Sequence, residues 1–193
     1  MRGCVGGDRR ACLVGLRVTG RGFYGIGIVG SKTPINVGTL WRSAGILGAA
    51  FMFTAGRRYP KQASDTIKAW KHTPLFEFDD ADALFSALPM GCIPIAVEMG
   101  AHSKSLTTLV HPERACYILG AEDTGVPERV LTRCPYVISI PGAHSLNVAV
   151  AGSIVLYDRV AKQGSVAQSV ERLSEKQEVA GSIPARPILE SVA

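Results

Sequence analysis

Residues 115–125 read ACYILGAEDTG. From Ala115 to Gly120 the run is apolar at every position, then it breaks into Gly120, a carboxylate at Glu122 and a second glycine at Gly125. A strand with one face in water alternates polar and apolar residues, whereas a strand covered on both faces does not, so this run predicts a central strand of a parallel sheet. The pattern repeats outward in both directions. Phe23 to Gly30, Ala50 to Thr54, Leu75 to Phe78, Cys92 to Glu98 and Tyr136 to Ile140 read as further strands. Pro34 opens a helix running to about Leu47, and further helices are expected over 63–70, 80–88, 126–134 and 147–162. Strands alternating with helices predict an α/β fold, a parallel sheet flanked by helices.

The chain has 193 residues, 47% hydrophobic and 19% charged, which suits one domain with a true core and excludes wholesale disorder. Its longest apolar stretch, Gly45 to Gly56, is too short to span a bilayer. The early run Ala11 to Leu16 ends at Arg17 without a cleavage region, so no secretory signal is expected. The five cysteines (4, 12, 92, 116 and 134) show no CxxC spacing and read as reduced thiols. A cytoplasmic protein without membrane or metal partners is the expectation.

Charge divides the chain. Residues 1–21 carry five arginines against Asp8, residues 22–163 carry thirteen Lys/Arg against eleven acids, and residues 164–193 come out at −1. The first segment reads as a basic N-terminal extension, either an unstructured leader or a nucleic-acid-binding arm. The last resembles the conceptual translation of a transfer-RNA gene, so it is expected to be a non-native or disordered tail without function. Residues 22–163 are the expected domain.

Gly25, Gly27 and Gly30 spell G-x-G-x-x-G, which raises an NAD-binding oxidoreductase as an alternative. That motif works when the glycines form the turn after a strand. Here they interleave with Ile26, Ile28 and Val29, and the first acid after Gly30 is Asp65, too distant to hold a ribose. Small residues packed within a buried strand explain them better.

The chemistry-bearing residues fall in three polar islands, each following an apolar strand. The first is Asn36-Val-Gly-Thr-Leu-Trp-Arg42, the second Ile118 to Gly125, the third Ile140-Pro-Gly-Ala-His-Ser-Leu-Asn-Val-Ala149. Asn36 and Arg42 are six apart, so they cannot share one narrow helix stripe. Ser145 or Asn147 suits a helix cap. Taken singly each island has a plain structural explanation, but ligands of α/β sheets gather beyond the C-terminal strand ends, where all three lie.

The blocks N-x-G-x-x-x-R, L-G-x-E-x-x-G and I-P…S-L-N-V-A, in this order, resemble the three motifs of the SpoU, or TrmH-like, branch of the SPOUT RNA 2′-O-ribose methyltransferases. The resemblance covers roughly residues 22–163. It implies an α/β fold with a C-terminal trefoil knot, an exception to the rule against knots. It also implies a homodimer, S-adenosyl-L-methionine as methyl donor, and methylation of a ribose 2′-hydroxyl in tRNA or rRNA. Arg42, Asn36, Glu122, Ser145 and Asn147 match the catalytic positions, while Val97, Gly120, Ile140, Leu146 and Ala149 match the cofactor cradle. The chain departs from many members in having Gly142 after Pro141 and a shorter loop before Ser145, which bears on the adenine-side contacts. A non-catalytic RNA-binding relative of the same fold is the other alternative.

Arg42 stays protonated to above about pH 12, which suits it to clamp a phosphate and favour a developing alkoxide rather than to act as base. His144, in the third island, is a second candidate base. For RNA, Arg57, Arg58 and Lys61 flank Tyr59, with Lys68, Lys71 and His72 following and Lys32 beside the first island. The closing helix is apolar nearly all round from Val148 to Tyr157, which predicts cover on more than one side, with a partner subunit as one source.

Overall fold

A computed structural model describes residues 22–58 and 73–163. Seven strands form one sheet: β1 (Phe23–Val29), β2 (Phe51–Ala55), β3 (Leu75–Phe78), β4 (Ile93–Val97), β5 (Lys104–Ser105), β6 (Arg114–Leu119) and β7 (Tyr136–Ser139). Their order is β3-β2-β1-β6-β4-β7-β5 and every pairing is parallel. Helices α1 (Pro34–Ile46), α2 (Ala81–Ser86) and α3 (Glu128–Leu131) connect them, and α4 covers residues 148–163. All strands therefore end on one edge, which is where the polar islands sit. The expected α/β architecture is the observed one. The helix expected over 63–70, together with Tyr59, Lys61, Lys68, Lys71, His72 and both chain ends, lies outside the described residues.

Alternation along β1 sorts the core into two layers. Tyr24, Ile26 and Ile28 face α1 and α4 with Leu40, Tyr117, Val155 and Leu156. On the other face, Phe53, Cys116 and Ile118 pack with Leu84 of α2 and Val130 of α3. There β1 offers Gly25 and Gly27, and a Cβ on either would run into Phe51 or Phe53 of the neighbouring strand. These glycines make room for aromatic rings, which accounts for the G-x-G spacing without any nucleotide.

Strand β5 has no counterpart among the expected elements. Two polar residues pair with Ile138 and Ser139 at the sheet edge, so neither hydrophobic period marks them. The surrounding segment, residues 98–113, is tied to α4. Lys162 donates to the carbonyls of Leu106 (2.7 Å) and Leu109 (3.1 Å). Arg159, with no solvent exposure, donates to the carbonyls of Pro112 (2.8 Å) and Glu113 (2.9 Å) and to the Tyr117 hydroxyl (3.0 Å). Its guanidinium also lies 4.3 Å from the centre of the Tyr24 ring. A buried charge is costly unless such partners surround it. His111 bridges the Tyr117 hydroxyl (2.6 Å) and the Asp158 carboxylate (2.8 Å).

Among the described residues no helix is long and apolar enough to cross a membrane, and no group of three or more His, Cys, Asp or Glu is placed to hold a metal ion. Cys92, Cys116 and Cys134 are buried free thiols, and burial raises the pKa of each.

Candidate active site

The site grows from the cap of α4. Asn147 stands just before the helix, and its Oδ1 accepts from the amides of Ala149 (2.9 Å) and Val150 (3.3 Å), satisfying donors that the helix cannot use itself. With its oxygen committed, Asn147 has only Nδ2 left to offer, and this donates to Asn36 Oδ1 at 3.1 Å. The same logic passes along. Asn36 has accepted, so its Nδ2 donates to Glu122 Oε1. A single directional relay thus joins all three polar islands, from α4 through the first turn of α1 to the loop after β6.

That loop is built for close approach. A Cβ on Gly120 would collide with the backbone of Gly125, and the Gly125 amide donates back to Ala121 at 2.9 Å. Glu98, at the end of β4, holds the loop from below: Oε2 accepts from Val126 N at 2.6 Å and Oε1 from Met99 N at 3.0 Å. A cavity of about 480 Å³ opens beside it, walled by Val97, Glu98 and Met99 after β4, by Gly120 to Asp123 after β6, and by Ile140 and His144 to Val148 after β7. The volume falls in the range of small-molecule sites, and apolar walls with a few convergent polar groups are the usual make-up of such sites.

Of the residues expected here, Glu122, Ser145, Asn147, Val97, Gly120, Ile140 and Leu146 line the cavity, as does His144. Asn36 lies behind them, buried, and reaches the site through the relay. Ala149 does not line it. That residue is buried, and its amide is taken by Asn147, because the first turn of a capped helix points its donors at the cap; Ala151 lines the cavity instead. Arg42 is also outside the lining. Six residues carry it roughly 240° round α1 from Asn36, onto the exposed face.

Of the candidate RNA cations, Lys32, Arg57 and Arg58 are among the described residues, and two of them have a carboxylate partner close to the site. Arg58 grips Asp123 with both terminal nitrogens (2.5 and 3.1 Å), and Lys32 lies 3.7 Å from the same carboxylate. The Arg58 hydrogen bonds, foremost, hold the Asp123 carboxyl down at about 2. Arg57 pairs with Glu77 at 2.9 Å. Glu98 and Asp123 are not among the residues that the motifs single out. The available signal is a carboxylate closing an apolar strand at Glu98, the same grammar that marks Glu122.

A family model described as the SpoU rRNA Methylase family matches residues 25–157. A relative from Archaeoglobus fulgidus, described as an uncharacterized tRNA/rRNA methyltransferase, is 30% identical over an alignment of 130 residues that covers 63% of this chain and 57% of that protein. The chain thus spans little more than half the length of that relative. A solved structure reported under "Structural insights into the 2-OH methylation of C/U34 on tRNA" superposes with a TM-score of 0.64 at 27% identity, covering 76% of this chain and 99% of the other. The SpoU methyltransferase AviRb from Streptomyces viridochromogenes, in complex with the cofactor AdoMet, shares the fold with a TM-score of 0.64 at 22% identity, covering 74% of this chain and 58% of the other.

Proposed function

Because the chain belongs to the SpoU rRNA Methylase family, we propose that it is an RNA methyltransferase that moves a methyl group from S-adenosylmethionine to a ribose 2′-hydroxyl of tRNA or rRNA. The relay Asn147–Asn36–Glu122 along the cavity wall is the observation that carries this reading. It aligns polar groups from three strand ends beside one small-molecule-sized pocket.

The donor, when bound, supplies an electrophilic methyl on a sulfonium. Val97, Gly120, Ile140 and Leu146, which line the cavity, would hold it, the side chains by apolar contact and Gly120 by leaving the backbone bare. Transfer to a hydroxyl is an in-line displacement, so orientation supplies much of the rate. Glu122, Ser145 and Asn147 are the groups that orient the accepting ribose, with Asn36 fixing the tilt of Glu122. Arg42 grips an RNA phosphate and stabilises charge growing on the oxygen.

A homodimer belongs to the same proposal. Ile35 and Ile46 flank Arg42 on the exposed side of α1, and Val150 and Tyr157 are exposed on α4. The Ser153–Ser43 hydrogen bond, at 2.7 Å, sets the two helices side by side. These residues form an apolar face that a second copy covers, with Arg42 at the boundary. Lys32 and Arg57, joined by Lys61, supply RNA contacts, and the protein acts in the cytoplasm. A knotted chain is part of the same proposal.

Calorimetry of the full chain with S-adenosylmethionine, followed by a tritiated-methyl assay on bulk tRNA and rRNA, tests the reading. Label in alkali-stable dinucleotides is expected, because a methylated 2′-oxygen cannot attack the adjoining phosphate. Label in mononucleotides would move the reaction to a base, and absence of cofactor binding by folded protein would overturn the proposal.

A further inference from the structure

Arg58 does more at the sheet edge than present a charge. Its Nε donates to the Gly30 carbonyl at 2.8 Å, its backbone amide to the Ser31 carbonyl at 2.8 Å, and its two terminal nitrogens to Asp123. A residue just after β2 therefore ties together the loop leading into α1 and the loop after β6. The first loop leads into the opening turn of α1, where Asn36 sits, and the second carries Glu122; the hydrogen bond between those two side chains closes the same gap. Asp123 follows Glu122 directly in the chain.

We propose that Arg58 and Asp123 are positioning residues for methyl transfer: a planar clasp that sets Glu122 against Asn36, rather than a contact to RNA phosphate. This rests on the functional reading above and extends it. The guanidinium fork is suited to the task because a bidentate pair fixes angle as well as distance, which a lysine point charge does not. The pair is about two-fifths exposed on each side (40% and 38%), so it adds little to global stability and its effect is local. The depressed Asp123 carboxyl keeps the clasp charged across the neutral range.

The test compares Arg58→Lys, Arg58→Ala, Asp123→Asn and the double variant Arg58→Ala/Asp123→Asn in the full chain. For each, kcat, KM for RNA, the salt dependence of RNA affinity and amide exchange over residues 120–126 are measured. The clasp predicts kcat lowered about tenfold in every single variant, since small misplacements of reacting groups are costly. The double variant is no worse than either single one, because one interaction is lost once. RNA affinity and its salt slope stay unchanged in the two single Arg58 variants, and exchange at 120–126 quickens. A phosphate contact would behave otherwise: Arg58→Ala would weaken RNA binding and flatten the salt slope by about one charge. That outcome, wild-type kcat in Arg58→Lys, or unchanged exchange overturns the clasp. If the wild-type chain methylates nothing, the functional reading fails by itself, and the exchange data still decide whether the clasp orders the loop.

Discussion

Asn147 does two things through two atoms, and they are separable. Asn147→Asp keeps an oxygen for the α4 amides and adds charge favourable to a helix N-terminus, but it has nothing to donate to Asn36. We expect wild-type thermal stability with methyl transfer down tenfold or more, roughly one hydrogen bond's worth. Asn147→Ala loses the cap as well and costs about 1 kcal/mol in a denaturant melt. Arg42→Ala touches neither core nor cavity; its melt and its cofactor titration stay within error of wild type while transfer is lost. Retained turnover would remove Arg42 from the chemistry. That Asn36, Glu122 and Asn147 fall in polar islands after apolar strands was legible in the sequence, and the family motifs singled them out within those islands. The direction of the relay was not, because it depends on which amide atom each neighbour has already claimed.

Among the elements, the loop after β6 and the exposed side of α1 make opposite demands on glycine. Gly120→Ala forces a methyl into the Gly125 backbone, so the loop must open; a loss of about 1–3 kcal/mol is expected, with cofactor binding abolished in calorimetry. A Cβ added at Gly38 would meet nothing within 4 Å in its own protomer. In a lone helix Gly38→Ala would add about 0.5–1 kcal/mol of stability. If a second copy covers this face, the methyl instead weakens assembly, and we expect sedimentation velocity to show dissociation at a higher protein concentration than wild type. Most elements announced themselves through their apolar runs, Leu75 to Phe78 to the residue. The two-residue β5 did not, since its only reason to be a strand is the neighbour it meets at Ile138 and Ser139.

For the molecule as a whole, the attachment of residues 98–113 to α4 makes stability depend on pH. Burial holds His111 below its ordinary value of 6.5, and the opposing pull of Asp158 does not restore it, with Arg159 and Lys162 adding to the depression. Tyr117, also buried, is pushed up to about 12 and stays neutral. The unfolded chain therefore takes up a proton that the folded one refuses, so stability rises with pH below 6.5 and is lost as pH falls through that window. Thermal melts should decline as pH falls below about 6.5, and His111→Gln should flatten that decline while lowering the midpoint at neutral pH. Local pattern was enough to establish the α/β class, the position of the polar islands after strand ends, and the misfit of the glycines to a nucleotide turn. Each of these follows from whether a residue's immediate neighbours are apolar, polar or small. Folding alone could bring Asn36 within reach of Glu122, 86 positions on, and of Asn147, 111 positions on. It also slotted β7 between β4 and β5, sent Arg42 to the far side of α1, and turned Arg58 toward Asp123. Those outcomes are set by pairings between strands distant in the chain, whose energies no short stretch of sequence contains.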